Sequence, residues 1–292
     1  MVASLYPNEE IRMEVRKHCE HDLYFLCKVI LGYDKLQPVP HQELCDFIER
    51  DYRKKLLVGA RGIFKTTIGT IGRAIQLAMR DANTKILVAA KTIDVAAGLI
   101  VSEIKRQYEF NERLRQLVPE QLPKSRMVQP WSTRALQLTR SESRGQPTFM
   151  AAGVEKQLAG FHVDHILGDD IVAATRDDLK EGGLIIIPPE EVDKAIGWYK
   201  LTMRGLSMND PDPSKYTRTQ FIVNRWAVRD FAEYIITHHS QADIPSSSRF
   251  AVKIMGAHRP DGSLLWPGVM GERKLHADLR DMGDFMYWTQ VE

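Results

Sequence analysis

An apolar run, Leu56-Leu57-Val58, is followed at once by Gly59-Ala60-Arg61-Gly62-Ile63-Phe64-Lys65-Thr66-Thr67. No other stretch constrains this chain as much. Ile68 to Met79, which comes next, is rich in apolar and small residues and reads as a helix. A strand, a tight glycine-bearing loop ending in Lys-Thr, and then a helix is a layout that cradles phosphate. Successive backbone N–H groups and the helix N-terminus present fixed positive potential to phosphate oxygens. In such a loop Lys65 reaches the β- and γ-phosphates and the Thr66 hydroxyl ligates Mg²⁺. All nine residues from Gly59 to Thr67 then line a nucleotide site. One position departs from the usual spacing. Phe64 stands where a second glycine is expected, and glycine serves there because the backbone must take positive φ or crowd the ligand. From this loop alone, a strand–helix turn that binds no nucleotide stays open.

A second element narrows the choice. Val163-Asp-His-Ile-Leu-Gly-Asp169-Asp170-Ile-Val172 reads as a buried strand ending in two acids, about a hundred residues after the loop. Beside a P-loop strand, the first acid of such a pair organises Mg²⁺ and the second polarises the attacking water. Asp169 is therefore the candidate metal-side residue together with Thr66, and Asp170 the candidate catalytic base. Together the two elements imply a protein that uses ATP with Mg²⁺.

The rest of the chain fits an α/β pattern. Strands read at 54–60, 84–90, 163–169 and 217–225, with a hairpin pair at 135–141 and 148–154. Helices read at 8–32, 41–52, 92–118, 189–206 and 230–239, and again from about Glu272. Strands alternating with helices imply a mostly parallel sheet covered on both faces. The expected fold is a P-loop NTPase of the ASCE/RecA-like kind, with a helical cap over 1–53 and an ATPase core over 54–292. Ligands bind beyond the C-terminal ends of such strands, where both the loop and the Asp169-Asp170 pair fall.

Composition adds exclusions. With 40 basic and 38 acidic residues the formal charge is +2, so the chain is no bulk polycation, and any nucleic-acid contact needs a local patch or several subunits. Cys19, Cys27 and Cys45 lack paired-ligand spacing and read as reduced, buried thiols. A zinc site at Cys19 with His18 and His21 lacks a second ligand pair. No apolar stretch approaches eighteen residues, so no membrane span is expected.

The loop, the acidic strand and their surroundings resemble the large terminase subunit of tailed bacteriophages. Pro40-His41-Gln42 lies where that family has an adenine-contact motif. Arg61 matches an arginine common inside its P-loop. Thr148 to Val154, and Leu158 through Asp169-Asp170, look like its approach to the acidic strand. Thr219-Gln-Phe-Ile-Val-Asn224-Arg225-Trp226 with Asp230 looks like its coupling motif, with Asn224 where a hydroxyl residue is usual. The resemblance implies an ATPase that drives double-stranded DNA into a viral procapsid. Gln42 would read adenine, Arg61 would sense the γ-phosphate, and Asn224 would couple hydrolysis to movement. An arginine finger from a ring neighbour is implied, with Arg134, Arg140 and Arg144 as candidates. Partners would be DNA held by its backbone (Lys124, Arg126 and Arg134 as candidate contacts), the small terminase subunit and the portal protein. The chain would form a homo-oligomeric ring when assembled and a monomer when isolated, in the host bacterial cytoplasm. The family's nuclease domain would begin where these residues stop, so no nuclease activity is expected of them. A helicase-like translocase and a catalytically weak P-loop scaffold are the competing readings. The first would need a second RecA-like unit, and the second is favoured by Phe64.

Overall fold

The computed structural model describes residues 5–123, 130–142, 145–155, 162–174, 187–206 and 216–291. Its centre is a seven-stranded sheet. In chain order the strands are β1 (Lys54–Gly59), β2 (Ile86–Ala90), β3 (Ala135–Leu136), β4 (Phe149–Gly153), β5 (His165–Asp169), β6 (Arg218–Val223) and β7 (Phe250–Met255), and across the sheet they run β3-β4-β2-β5-β6-β1-β7. All neighbours are parallel except β3, which runs antiparallel to β4.

The apolar runs become central strands because both faces of each are covered. Successive side chains point to opposite faces. Leu57, Val88, Leu167 and Ile222 enter one core cluster, while Leu56, Val58, Leu87, Ile166 and Phe221 enter the other. The first face is covered by helices α1 (Glu9–His21), α2 (Pro38–Glu49), α3 (Arg73–Arg80), α4 (Ser102–Phe110) and α5 (Glu112–Leu117), so the N-terminal helices share this core. The second face is covered by α6 (Pro189–Leu206) and α7 (Phe231–His239). The last helix, α8 (Glu272–Gln290), is kinked at Gly283, where φ is 73°.

Three expectations need correction. The acidic strand β5 does not lie beside the P-loop strand β1; β6, the strand of the expected coupling motif, stands between them. An additional strand at that place is what the ASCE class is named for, so the class survives and the assumed neighbour does not. Second, the helices expected at 8–32 and 92–118 are interrupted. Asp22 ends α1 in an extended conformation and its carboxylate accepts the Phe25 N–H (2.7 Å). Asn111 separates α4 from α5 and accepts the Leu114 N–H (3.1 Å). Short Asx side chains compete with the helix for backbone donors, which ends one helix and caps the next. Third, strand β7 was not expected. Phe250-Ala-Val-Lys-Ile-Met255 is an edge strand with Lys253 partly exposed and Ile254 60% exposed, so it lacks the continuous apolar signal of the central strands.

Candidate functional site

β1 delivers the chain to the loop at the C-terminal edge of the sheet. Beyond Gly59, the Ala60 N–H donates to Met255 O (2.8 Å) and the Arg61 N–H to Gln290 O (2.9 Å), tying the loop to β7 and to the end of α8. The loop then turns through positive φ at Gly62 (83°) and at Phe64 (58°). Phe64 thus adopts the left-handed conformation that a glycine would take without cost. Its ring is held among aromatics, 5.5 Å from the His41 ring and 6.0 Å from that of Trp266 between centroids. The Trp266 Nε1–H is anchored on Gln37 Oε1 (3.1 Å). Among the described residues, no backbone hydrogen bond outside the regular elements engages the N–H groups of Gly62, Ile63, Phe64 or Lys65. They are donors left over for an anion.

From Lys65 the chain enters Thr66–Gly72, a turn of π-type winding that runs straight into α3. Thr66 and Thr70 lie four residues apart on one side of it. The Thr66 hydroxyl donates to Asp169 Oδ1 (2.8 Å), and the Thr70 hydroxyl donates to Asp169 Oδ2. Thr70 is a site residue that the sequence reading missed, although its i, i+4 spacing from Thr66 was available. The Lys65 ammonium is buried and donates to Ala60 O (2.7 Å) and Asn224 Oδ1 (2.6 Å). Asn224 in turn donates to Asp170, through its backbone N–H to Oδ1 (2.8 Å) and its amide to Oδ2 (3.2 Å). Asp170 has φ of 41°, a conformation Asp tolerates better than most residues. Three segments distant in sequence therefore meet: the loop, the acidic strand end and the end of β6.

Burial sets the electrostatics. It pushes the Lys65 ammonium down to about 8, against the opposing pull of Asp170 and Asp169. Burial together with the charge of Asp170 raises the Asp169 carboxyl, and the Thr70 and Thr66 hydroxyls resist that rise. Burial also raises Asp170, opposed by Lys65, by the Asn224 N–H and by Arg61. Two buried adjacent carboxylates facing one lysine are short of positive charge, and a cation beside Asp169 would relieve this.

The oxygens present fit Mg²⁺. A hydroxyl and a carboxylate in contact are the hard ligands this ion takes, with phosphate and water supplying the rest. Among the described residues no cluster of three or more His, Cys, Asp or Glu could hold a metal. The three cysteines are free and buried, and burial pushes Cys19 up to about 12.

Other expected residues are placed differently. The Arg61 guanidinium lies 4.8 Å from the centre of the Trp226 ring, joining the loop to the residues after β6. Gln42 is not brought to the loop. Its amide donates to Asp46 Oδ1 (2.9 Å) on its own helix, and the α2 side chain that meets Phe64 is His41. Arg134 is exposed and pairs with Asp94 at 3.7 Å. Lys124, Arg126, Arg144 and the segment 158–161 lie outside the described residues. Gln290 was also missed in the sequence. Its carbonyl takes the Arg61 N–H and its amide donates to Arg225 O, so one residue links loop, coupling segment and last helix. A cavity of about 340 Å³ opens there, lined by Gly59, Ala60, Arg225, Val228, Trp288 and Gln290.

No family model matches the chain and no curated protein matches it. Among solved structures it is similar to the large terminase of a thermophilic bacteriophage, at 13% identity and a TM-score of 0.42, over 92% of this chain and 52% of that one. It therefore spans about half the length of that protein. It is also similar to the large terminase ATPase domain of Thermus phage P74-26, at 12% identity and a TM-score of 0.48, over 88% of this chain and 98% of that one. An arginine-to-alanine mutant of the same domain aligns at 13% identity and a TM-score of 0.46, with the same coverage.

Proposed function

We propose that the chain is a Mg²⁺-dependent ATP hydrolase of the large-terminase type, and that it drives double-stranded DNA into a viral procapsid. The observation that carries the reading is the contact chain Lys65–Asn224–Asp170 beside the Thr66–Asp169 pair. It gathers a phosphate ligand, a metal pair, a base and a sensor from three separate segments.

The chemistry is in-line attack of water on the γ-phosphate, for which the protein supplies position and charge. The N–H groups of Gly62, Phe64 and Lys65 hold the phosphates, and Lys65 neutralises them. Thr66 and Asp169 would hold Mg²⁺, which would supply positive charge to offset that developing on the phosphate. Asp170 orients the water and takes its proton. Arg61, stacked on Trp226, senses the terminal phosphate. Lys65 commits one donor to Asn224. When phosphate draws Lys65 away, Asn224 loses that partner and keeps Asp170. β6 and the residues after it thus register whether the phosphate is present, which is the coupling role assigned to Asn224. Gln42 would contact adenine only after leaving Asp46. The competing reading of an idle scaffold rested on Phe64, and the left-handed conformation this residue adopts weakens it.

The test is the variant Asp170→Asn. It is expected to bind ATP within about threefold of wild type while turnover falls by two orders of magnitude or more, the range of a lost general base. Wild-type turnover in this variant would remove Asp170 from the mechanism. The small terminase subunit, the portal protein, a homo-oligomeric ring and the host bacterial cytoplasm belong to the same proposal.

A further inference from the structure

The opposite end of the sheet carries a second site. A cleft of about 670 Å³ opens where β1, β6 and β7 begin. β1 is six residues long, which puts the cleft about 20 Å from the P-loop. Its lining includes Arg50, Arg53, Arg218, Arg249 and Lys253, against one carboxylate, Asp51. The whole chain is balanced at 40 basic to 38 acidic residues, so this excess is local.

The cations differ in how far they are already neutralised. Arg218 pairs with the exposed Asp51 at 2.6 Å, and Lys253 pairs with Glu43 at 2.7 Å. Arg50, Arg53 and Arg249 have no carboxylate partner among the described residues. Arg53 is nonetheless held in place. Its guanidinium lies 4.1 Å from the centre of the Tyr216 ring and donates to the carbonyls of Thr217 (3.4 Å) and Ser247 (3.3 Å). Arg249 is fixed by the Ala242 carbonyl (3.2 Å). Neutral carbonyls orient these forks without cancelling their charge, which leaves the remaining donors for an anion.

Further positive charge lies behind Arg218. Lys55 and Arg73 are buried; burial and the charge of Arg73 push Lys55 down to about 7, while burial and the charge of Arg80 push Arg73 down to about 9. His165 at the start of β5 is pushed down to about 3 by burial and by Arg73, Arg218, Lys55 and Arg80. Glu49 and Asp51 are the acids that oppose them. His165 is therefore neutral, and the charge that adds to the field of the cleft is chiefly that of Arg73.

We propose that this cleft binds the phosphate backbone of duplex DNA, through Arg50, Arg53 and Arg249 with Arg218 at its edge. The mixture of forked donors, the Ser246 and Ser247 hydroxyls and a tyrosine-backed arginine suits backbone phosphates, which carry no sequence information. The choice of duplex DNA rests on the motor reading above; the anion site does not. It would place the DNA contact at the end of β6 opposite to Asn224, so one strand joins nucleotide sensor and DNA contact.

The test is fluorescence anisotropy of a labelled mixed-sequence duplex with the nucleotide-free chain across a KCl series, comparing wild type with Arg50→Glu/Arg249→Glu. The expected result is at least tenfold weaker binding and a salt slope shallower by about 2, near 0.9 per lost phosphate contact. The melting midpoint and the affinity for a non-hydrolysable ATP analogue should stay unchanged. If charge reversal lowers the melting midpoint, Arg50→Gln/Arg249→Gln is read instead, with the same direction expected. Unchanged affinity and slope, or no duplex binding by wild type, would overturn the proposal. So would displacement of the duplex by millimolar inorganic phosphate, the mark of a small-anion site. Loss of duplex binding in the variant, together with turnover indifferent to Lys65→Ala, would leave the cleft standing and remove the ATPase reading.

Discussion

Phe64 is the residue where sequence and structure differ most instructively. A glycine is expected there because the loop needs positive φ, and the loop does take positive φ with a phenylalanine in place. A left-handed conformation costs a residue with a Cβ about 1–2 kcal/mol. The contacts of the ring with His41 and Trp266 offset that cost. This predicts an inverted order of stability. Phe64→Ala and Phe64→Gly both lose the ring, but only alanine keeps the strain, so the glycine variant should be the more stable by about 1 kcal/mol in chemical denaturation. An ordinary helix or strand position would rank them the other way. ATP affinity of Phe64→Gly should stay within about threefold of wild type, since the loop already has the required turn. That Lys65, Thr66, Asp169 and Asp170 would come together was legible, because the proposed phosphate loop and metal-side strand would each demand particular residue types at particular spacings. Thr70 and Gln290 were not legible as site residues. Their contacts depend on which neighbour the fold brings to them.

At the scale of elements, the strands with both faces buried were readable from apolar runs alone. The breaks at Asp22 and Asn111 were hidden because the apolar rhythm continues across them while a short polar side chain takes over the backbone donors. β7 was hidden by its edge position. The turn Thr66–Gly72 shows how elements position chemistry. It packs so closely on β6 that a Cβ at Gly69 would lie 2.1 Å from Ile222 Cδ1 and 2.8 Å from Ile48 Cδ1. The Gly69 carbonyl also accepts the buried Gln220 amide (2.6 Å). This close approach sets the height at which Thr66 and Thr70 meet Asp169. Gly69→Ala should therefore destabilise the fold by about 1–3 kcal/mol, the usual cost of overpacking, read as a melting midpoint lowered by several degrees. An unchanged midpoint would mean that the turn can lift off β6 without penalty.

Across the whole molecule, the parallel sheet separates two kinds of chemistry. The C-terminal edge gathers Lys65, Thr66, Asp169, Asp170 and Asn224, while the N-terminal edge gathers unneutralised arginines. β6 runs between them, flanked by the P-loop strand on one side and the acidic strand on the other. Arg218 begins β6 and Asn224 directly follows it, so the two sites stand at opposite ends of one strand. ATP hydrolysis by the loop and the acidic pair is the proposed activity. It is tested most directly by steady-state ATP hydrolysis of the purified chain over a wide range of protein concentration, with Lys65→Ala alongside. The expected result is Mg²⁺-dependent turnover that is lost in Lys65→Ala and that rises more steeply than linearly with protein concentration, as the proposed arginine from a neighbour would require. Turnover at the wild-type rate in Lys65→Ala would contradict it.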